Sequence, residues 1–108
     1  MSNFSLSDLQ TIIEQRSTAG AEASYTASLL DKGVLKCAEK FGEEAVELAL
    51  AAVAQEPADV ANEAADVLYH LMVVLRARGV KLAQIMAILE QRTAQSGLAE
   101  KAARNAPE

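Results

Sequence analysis

Glu44 and Glu47, and again Glu63 and Asp66, form two carboxylate pairs, each spaced three residues apart inside a stretch that is otherwise largely apolar. Residues three apart on a helix point the same way, so each pair presents two oxygen-bearing prongs on one face. Carboxylates are almost never buried without a partner, because an unpaired charge in an apolar setting is strongly disfavoured. Four of them in the apolar part of a small protein call for a cation. The chain has a single His and a single Cys, so the donors are hard oxygens. Those suit Mg²⁺, with Mn²⁺ able to substitute, and the usual use of an ion held from one side is to receive phosphate. The bland alternative is a solvated helix face with salt bridges, since Lys40 stands four residues before Glu44. Glu63 and Asp66, with no lysine nearby, count against it.

The charge inventory agrees. Of 108 residues, 15 are acidic and 10 basic; setting the four carboxylates aside leaves 11 against 10, so the excess acidity is largely the constellation itself. No basic stripe remains for nucleic acid. The length fits one domain, short enough that apolar surface is left over when it folds alone, so partner subunits are expected. One cysteine excludes an intramolecular disulfide, and the N-terminus lacks the basic stretch and apolar run of a signal peptide. No window approaches the roughly 18 apolar residues of a membrane span. A cytoplasmic protein without membrane contact is expected.

Helices must position the carboxylates. The first is expected over residues 6–16, started by a capping box between Ser5 and Asp8 with Phe4 stapled onto Leu9. Residues 17–32, with Gly20, three serines and two threonines, read as a long loop with room for a helical turn at 27–31. A second helix over 33–54 has two apolar arcs, with Lys40, Glu44 and Glu47 in the seam between them. Pro57 opens a third, nearly all apolar, which Gly79 ends and on which Glu63, Asp66 and His70 share a stripe. A fourth over 81–94 carries Leu82, Ile85, Met86 and Leu89 on one face. Met72 and Met86 read as core filler, Cys37 as a small buried hydrophobe, and His70 as a satisfied core histidine or a ligand's partner more than a ligand. The short link at Gln55 and Glu56 makes the second and third helices antiparallel neighbours, so the two carboxylate pairs can meet. The expected architecture is an all-α four-helix antiparallel bundle over residues 1–96, with a frayed tail over 97–108.

Ser24-Tyr25-Thr26, Gly33, Lys36, Lys40, the run Gly42-Glu43-Glu44-Ala45 with Glu47, and the run Glu63-Ala64-Ala65-Asp66-Val67-Leu68-Tyr69-His70-Leu71 together resemble the phosphoribosyl-ATP pyrophosphohydrolases, the second enzymes of histidine biosynthesis. The likeness covers residues 24–75, and the fourth helix fits in place and length. The two acidic pairs alone would indicate only the wider all-α nucleotide pyrophosphohydrolase superfamily; the segments around Tyr25, Glu44 and Tyr69 narrow it. With no Trp and one Cys, the chain resembles the stand-alone form, without the cyclohydrolase domain fused to this enzyme elsewhere.

The resemblance implies Mg²⁺-dependent hydrolysis of phosphoribosyl-ATP at the α,β-phosphoanhydride, giving phosphoribosyl-AMP and pyrophosphate, with Glu44, Glu47, Glu63 and Asp66 as metal ligands. Such chemistry needs charge neutralisation and positioning more than a nucleophilic side chain. Lys36 and Lys40 are then candidates to hold phosphate oxygens, Lys40 the better placed. Glu43 either supports a ligand or orients the attacking water, and Ser24, Tyr25 and Thr26 belong to the substrate site. A homodimer or a multiple of it is expected from the apolar helix surfaces, with residues 17–32 ordered against the neighbour so that Ser24, Tyr25 and Thr26 meet the other chain's carboxylates. Two alternatives share features of the pattern: a house-cleaning nucleoside triphosphate pyrophosphohydrolase, and a non-catalytic helical dimerisation module.

Overall fold

The structure, a computed structural model, describes residues 3–22, 24–94 and 104. Among the described residues five helices follow in order: α1 (Leu6–Ser17), α2 (Tyr25–Asp31), α3 (Val34–Ala54), α4 (Pro57–Ala77) and α5 (Leu82–Thr93). No strand occurs among the described residues, so the protein is all-α. The expected division between a domain ending at residue 96 and a tail over 97–108 falls outside the described residues, apart from the exposed Arg104.

Local chemistry fixes the helix ends. Ser5 Oγ accepts from the Asp8 N–H at 3.1 Å while the Ser5 N–H donates to Asp8 Oδ2 at 2.9 Å, the reciprocal box expected from the sequence. α4 starts on Pro57, with the Glu56 N–H donating to Asp59 Oδ2 at 3.3 Å. It ends in a Schellman motif: the Val80 N–H reaches Leu75 O at 2.9 Å and the Gly79 N–H reaches Arg76 O at 3.1 Å. Gly79 has φ 69°, the left-handed conformation that glycine adopts without Cβ strain. The α5 N-terminus is tied back to α1, where Gln10 Oε1 accepts from the Leu82 N–H at 2.7 Å and Lys81 Nζ meets Glu14 Oε1 at 3.0 Å.

The stretch read as a long loop with room for a turn at 27–31 holds a full short helix over Tyr25–Asp31, so the described residues contain five helices where four were expected. Ser24 caps α2 by accepting from the Ala27 N–H at 3.2 Å, and the helix runs only 7 residues before Gly33, at φ 98°, turns the chain into α3. Two turns are too short for the apolar period to show, and the polar composition masks it. Thr26, Ala27 and Leu29 of this segment are buried.

The core unites Ile13 of α1, Leu29 of α2, Cys37 of α3, Met72 and Val73 of α4, and Leu82 of α5. Cys37 is buried as expected, its Sγ donating to Leu29 O at 3.3 Å, and burial pushes its thiol pKa up. Met86, expected in the core, is exposed. α3 and α4 form an antiparallel hairpin with the most extensive packing of any helix pair. That hairpin carries all four motif carboxylates.

Candidate active site

Glu44 enters from the middle of α3, and Glu63 and Asp66 from the N-terminal half of α4. Because the hairpin aligns these levels, one carboxylate oxygen of each lies within 4.8 Å of the others. None of the three ion pairs among the described residues neutralises this cluster. Glu63 Oε2 is buried with no hydrogen-bond donor in reach. Burial, and then repulsion from Glu47, holds the carboxyl groups of both Glu44 and Glu63 above the usual carboxylate range, with Asp66 adding to both. Glu47 is exposed and stands close enough to repel Glu44 and Glu63, but outside the group in which all oxygens approach within 4.8 Å.

Clustered oxygens that repel one another, one of them buried and without a partner, are a set that a cation would stabilise. The donor set is oxygen only, drawn from two rigid helices, and it fits a hard divalent cation of the Mg²⁺ class.

Lys40, one turn before Glu44, does not pair with it. Its Nζ lies 3.1 Å from Glu43 Oε2, and that hydrogen bond raises the lysine pKa, with the nearby Tyr25 and Glu44 adding to it. The ammonium thus stays charged beside the acidic cluster. Lys36, a turn further from the acids, pairs more loosely with Glu39 at 3.7 Å. Of the segment at the start of α2, Ser24 serves as the helix cap, and the buried Thr26 hydroxyl is bonded to the Tyr69 phenol. Tyr25, 55 % exposed, stacks on Tyr69 with ring centroids 6.3 Å apart and meets the edge of His70 at 6.1 Å. These contacts lie within one chain, where α2 packs on α1, α3 and α4.

His70 is buried one turn after Asp66, between Tyr25 and Tyr69, and stands outside the carboxylate group. It is not a satisfied histidine, because Nδ1 has no hydrogen-bond partner; burial, with Lys40 nearby, lowers its pKa and keeps the ring neutral. Tyr69 is the residue whose part the sequence did not reveal. It joins α4 to α2 and shares with Ser24, Tyr25 and Arg16 an open cleft of 410 Å³. In the sequence it stood out only as part of the segment that narrows the resemblance, with nothing to tie it to Thr26.

Comparison with known proteins agrees with this geometry. The family described as phosphoribosyl-ATP pyrophosphohydrolase matches residues 6–93. A phosphoribosyl-ATP pyrophosphatase of Azorhizobium caulinodans is 59 % identical over 92 % of this chain and 91 % of its own. One from Methylobacterium nodulans is 55 % identical over 99 % of this chain and 100 % of its own. Phosphoribosyl-ATP pyrophosphatase 1 of Rhodopseudomonas palustris is 52 % identical over 96 % and 97 % respectively. The matched span takes in all five helices and every carboxylate of the site. With such agreement along nearly its whole length, the chain belongs to the phosphoribosyl-ATP pyrophosphohydrolase family.

Proposed function

We propose that this protein hydrolyses phosphoribosyl-ATP to phosphoribosyl-AMP and pyrophosphate, the second step of histidine biosynthesis, at the carboxylate cluster of the α3–α4 hairpin. The observation that carries the reading is the meeting of Glu44, Glu63 and Asp66 around a buried, orphaned Glu63 oxygen. In this reading those three residues, with Glu47 beside them, hold Mg²⁺, for which Mn²⁺ can substitute. Bound there, the ion would neutralise triphosphate charge and polarise the phosphoanhydride. Lys40, kept charged by Glu43, holds phosphate oxygens, and Lys36 extends that contact one turn along α3. Glu43 aligns Lys40 and orients the water that attacks the α,β-phosphoanhydride. Ser24 and Thr26 fix the start of α2 so that the exposed Tyr25 ring meets the substrate.

A cytoplasmic setting and a homo-oligomeric unit belong to the same proposal; no helix among the described residues is long and apolar enough to cross a membrane. The test is pyrophosphate release from phosphoribosyl-ATP and from a panel of nucleoside triphosphates, each with Mg²⁺ and with excess chelator. Turnover confined to phosphoribosyl-ATP with Mg²⁺ is expected, and Ca²⁺ should support little because its larger, looser shell misplaces the reacting groups. Full activity in chelator would remove the metal assignment, and equal turnover of the panel would favour a house-cleaning enzyme.

A further inference from the structure

We infer that Arg16, in the cleft beside Tyr25, binds the phosphate on the substrate's second ribose and so selects a phosphoribosylated triphosphate over a plain one. This rests on the pyrophosphohydrolase reading above and adds to it a residue from outside the carboxylate hairpin. Arg16 lies in the last turn of α1 and lines the 410 Å³ cleft with Gln15, Ser24, Tyr25 and Tyr69. Clefts of about 300–1,000 Å³ are the usual size for small-molecule sites, so there is room for a sugar phosphate.

The polar groups around this cleft divide into two sets. Ser24 Oγ is engaged in capping α2, and the Thr26 and Tyr69 hydroxyls bond each other, so these serve the fold. The Arg16 guanidinium, by contrast, takes part in none of the ion pairs among the described residues. It is exposed, and the cleft it lines carries no carboxylate that could neutralise it. An arginine in the last turn of a helix also complements the negative end of the helix dipole. That effect accounts for a cation at this end of α1, but not for one whose side chain lines a cleft.

Tyr25 links the cleft to the reaction centre. Its ring forms part of the cleft and meets the edge of His70 at 6.1 Å, and His70 follows Asp66 by one turn on α4. A ligand with its triphosphate at the carboxylates and a second anion at its far end, beyond the first ribose, the base and the second ribose, can therefore span Tyr25 and end at Arg16. The planar guanidinium matches a terminal phosphate through two parallel hydrogen bonds, which a lysine cannot reproduce. A plain nucleoside triphosphate has no group to place there.

Calorimetric titration with phosphoribosyl-AMP and with AMP reads the cleft without turnover. The wild type should prefer phosphoribosyl-AMP, and Arg16→Ala should weaken it about tenfold or more while leaving AMP unchanged. Arg16→Lys should fall between. Circular dichroism checks that the exposed substitution leaves the fold intact. Arg16→Ala weakening both ligands alike, or neither, overturns the inference. In parallel, wild-type pyrophosphate release from phosphoribosyl-ATP tests the underlying reading. If it fails, both fall; if it succeeds while Arg16→Ala leaves KM for phosphoribosyl-ATP unchanged, only the role of Arg16 is refuted.

Discussion

Each carboxylate of the hairpin has a different surrounding, and the difference sets what its removal should do. Glu63, with a buried orphan oxygen, and Glu44, half-buried on the facing helix, are raised in pKa by burial first and by Glu47 second. Glu44→Gln, Glu63→Gln and Asp66→Asn should each lower kcat by about 100-fold or more with circular dichroism unchanged. Glu47→Gln tests the exposed member, and near wild-type turnover in it would show that three carboxylates suffice. The pH dependence has a definite sign. An acid with a raised folded pKa favours folding in its neutral form, so its contribution is complete below about pH 4 and is lost as pH rises through the raised value. The metal-free Glu44→Gln protein should therefore gain in Tm over the wild type as pH increases from about 4 to 7. A Tm difference that does not vary with pH would contradict this. Adding Mg²⁺ should raise the wild-type Tm and leave that of Glu63→Gln nearly unmoved. The carboxylates were legible in the sequence because charge inside an apolar helix is conspicuous. The Lys40–Glu43 pair was not, since rotamers decide between partners three and four residues away.

At the scale of elements, α1, α3, α4 and α5 were readable because caps, Pro57, Gly79 and long apolar periods all agreed. α2 was not, because two turns held by tertiary contacts leave little periodic trace. Its attachment should be correspondingly sensitive. The Thr26–Tyr69 hydroxyl bond joins α2 to α4 across 43 residues, and Thr26 is buried. Thr26→Val keeps the shape but removes one partner, so a loss of about 1–2 kcal/mol in chemical denaturation is expected. Because the same α2 carries Tyr25, KM for phosphoribosyl-ATP should rise more than kcat falls. Unchanged stability would mean that the bond contributes nothing to holding α2. The exposure of Met86 has a similar origin: the α5 stripe is apolar at the right spacing, but only its start at Leu82 reaches the core. Spacing specifies a face and leaves open whether that face meets this chain or another.

The same ambiguity governs the whole molecule. Val46, Leu50 and Val53 lie at i, i+4 and i+7 on α3, with exposures of 61, 62 and 87 %, and Leu35 continues the stripe toward the helix start at 74 %. These side chains belong to the helix that carries Glu44, yet they point away from the α4 partner. Contiguous apolar surface of this kind on a small chain calls for cover, and symmetric pairing of identical chains is the commonest form of it. A homodimer or a multiple of it is therefore expected in sedimentation, and Leu50→Glu together with Val53→Glu should shift it toward monomer, since two added charges on each chain would face the interface. The sequence leads to the expectation of a site shared between subunits, and within one chain Tyr25 also reaches His70. Mixing a Tyr25→Ala protein with a Glu63→Gln protein decides between the two arrangements: no activity returns where each chain supplies both groups to its own site. Recovery on mixing would return the α2 segment to the partner's site, whereas a sedimenting monomer with full turnover would show that the α3 stripe has another purpose.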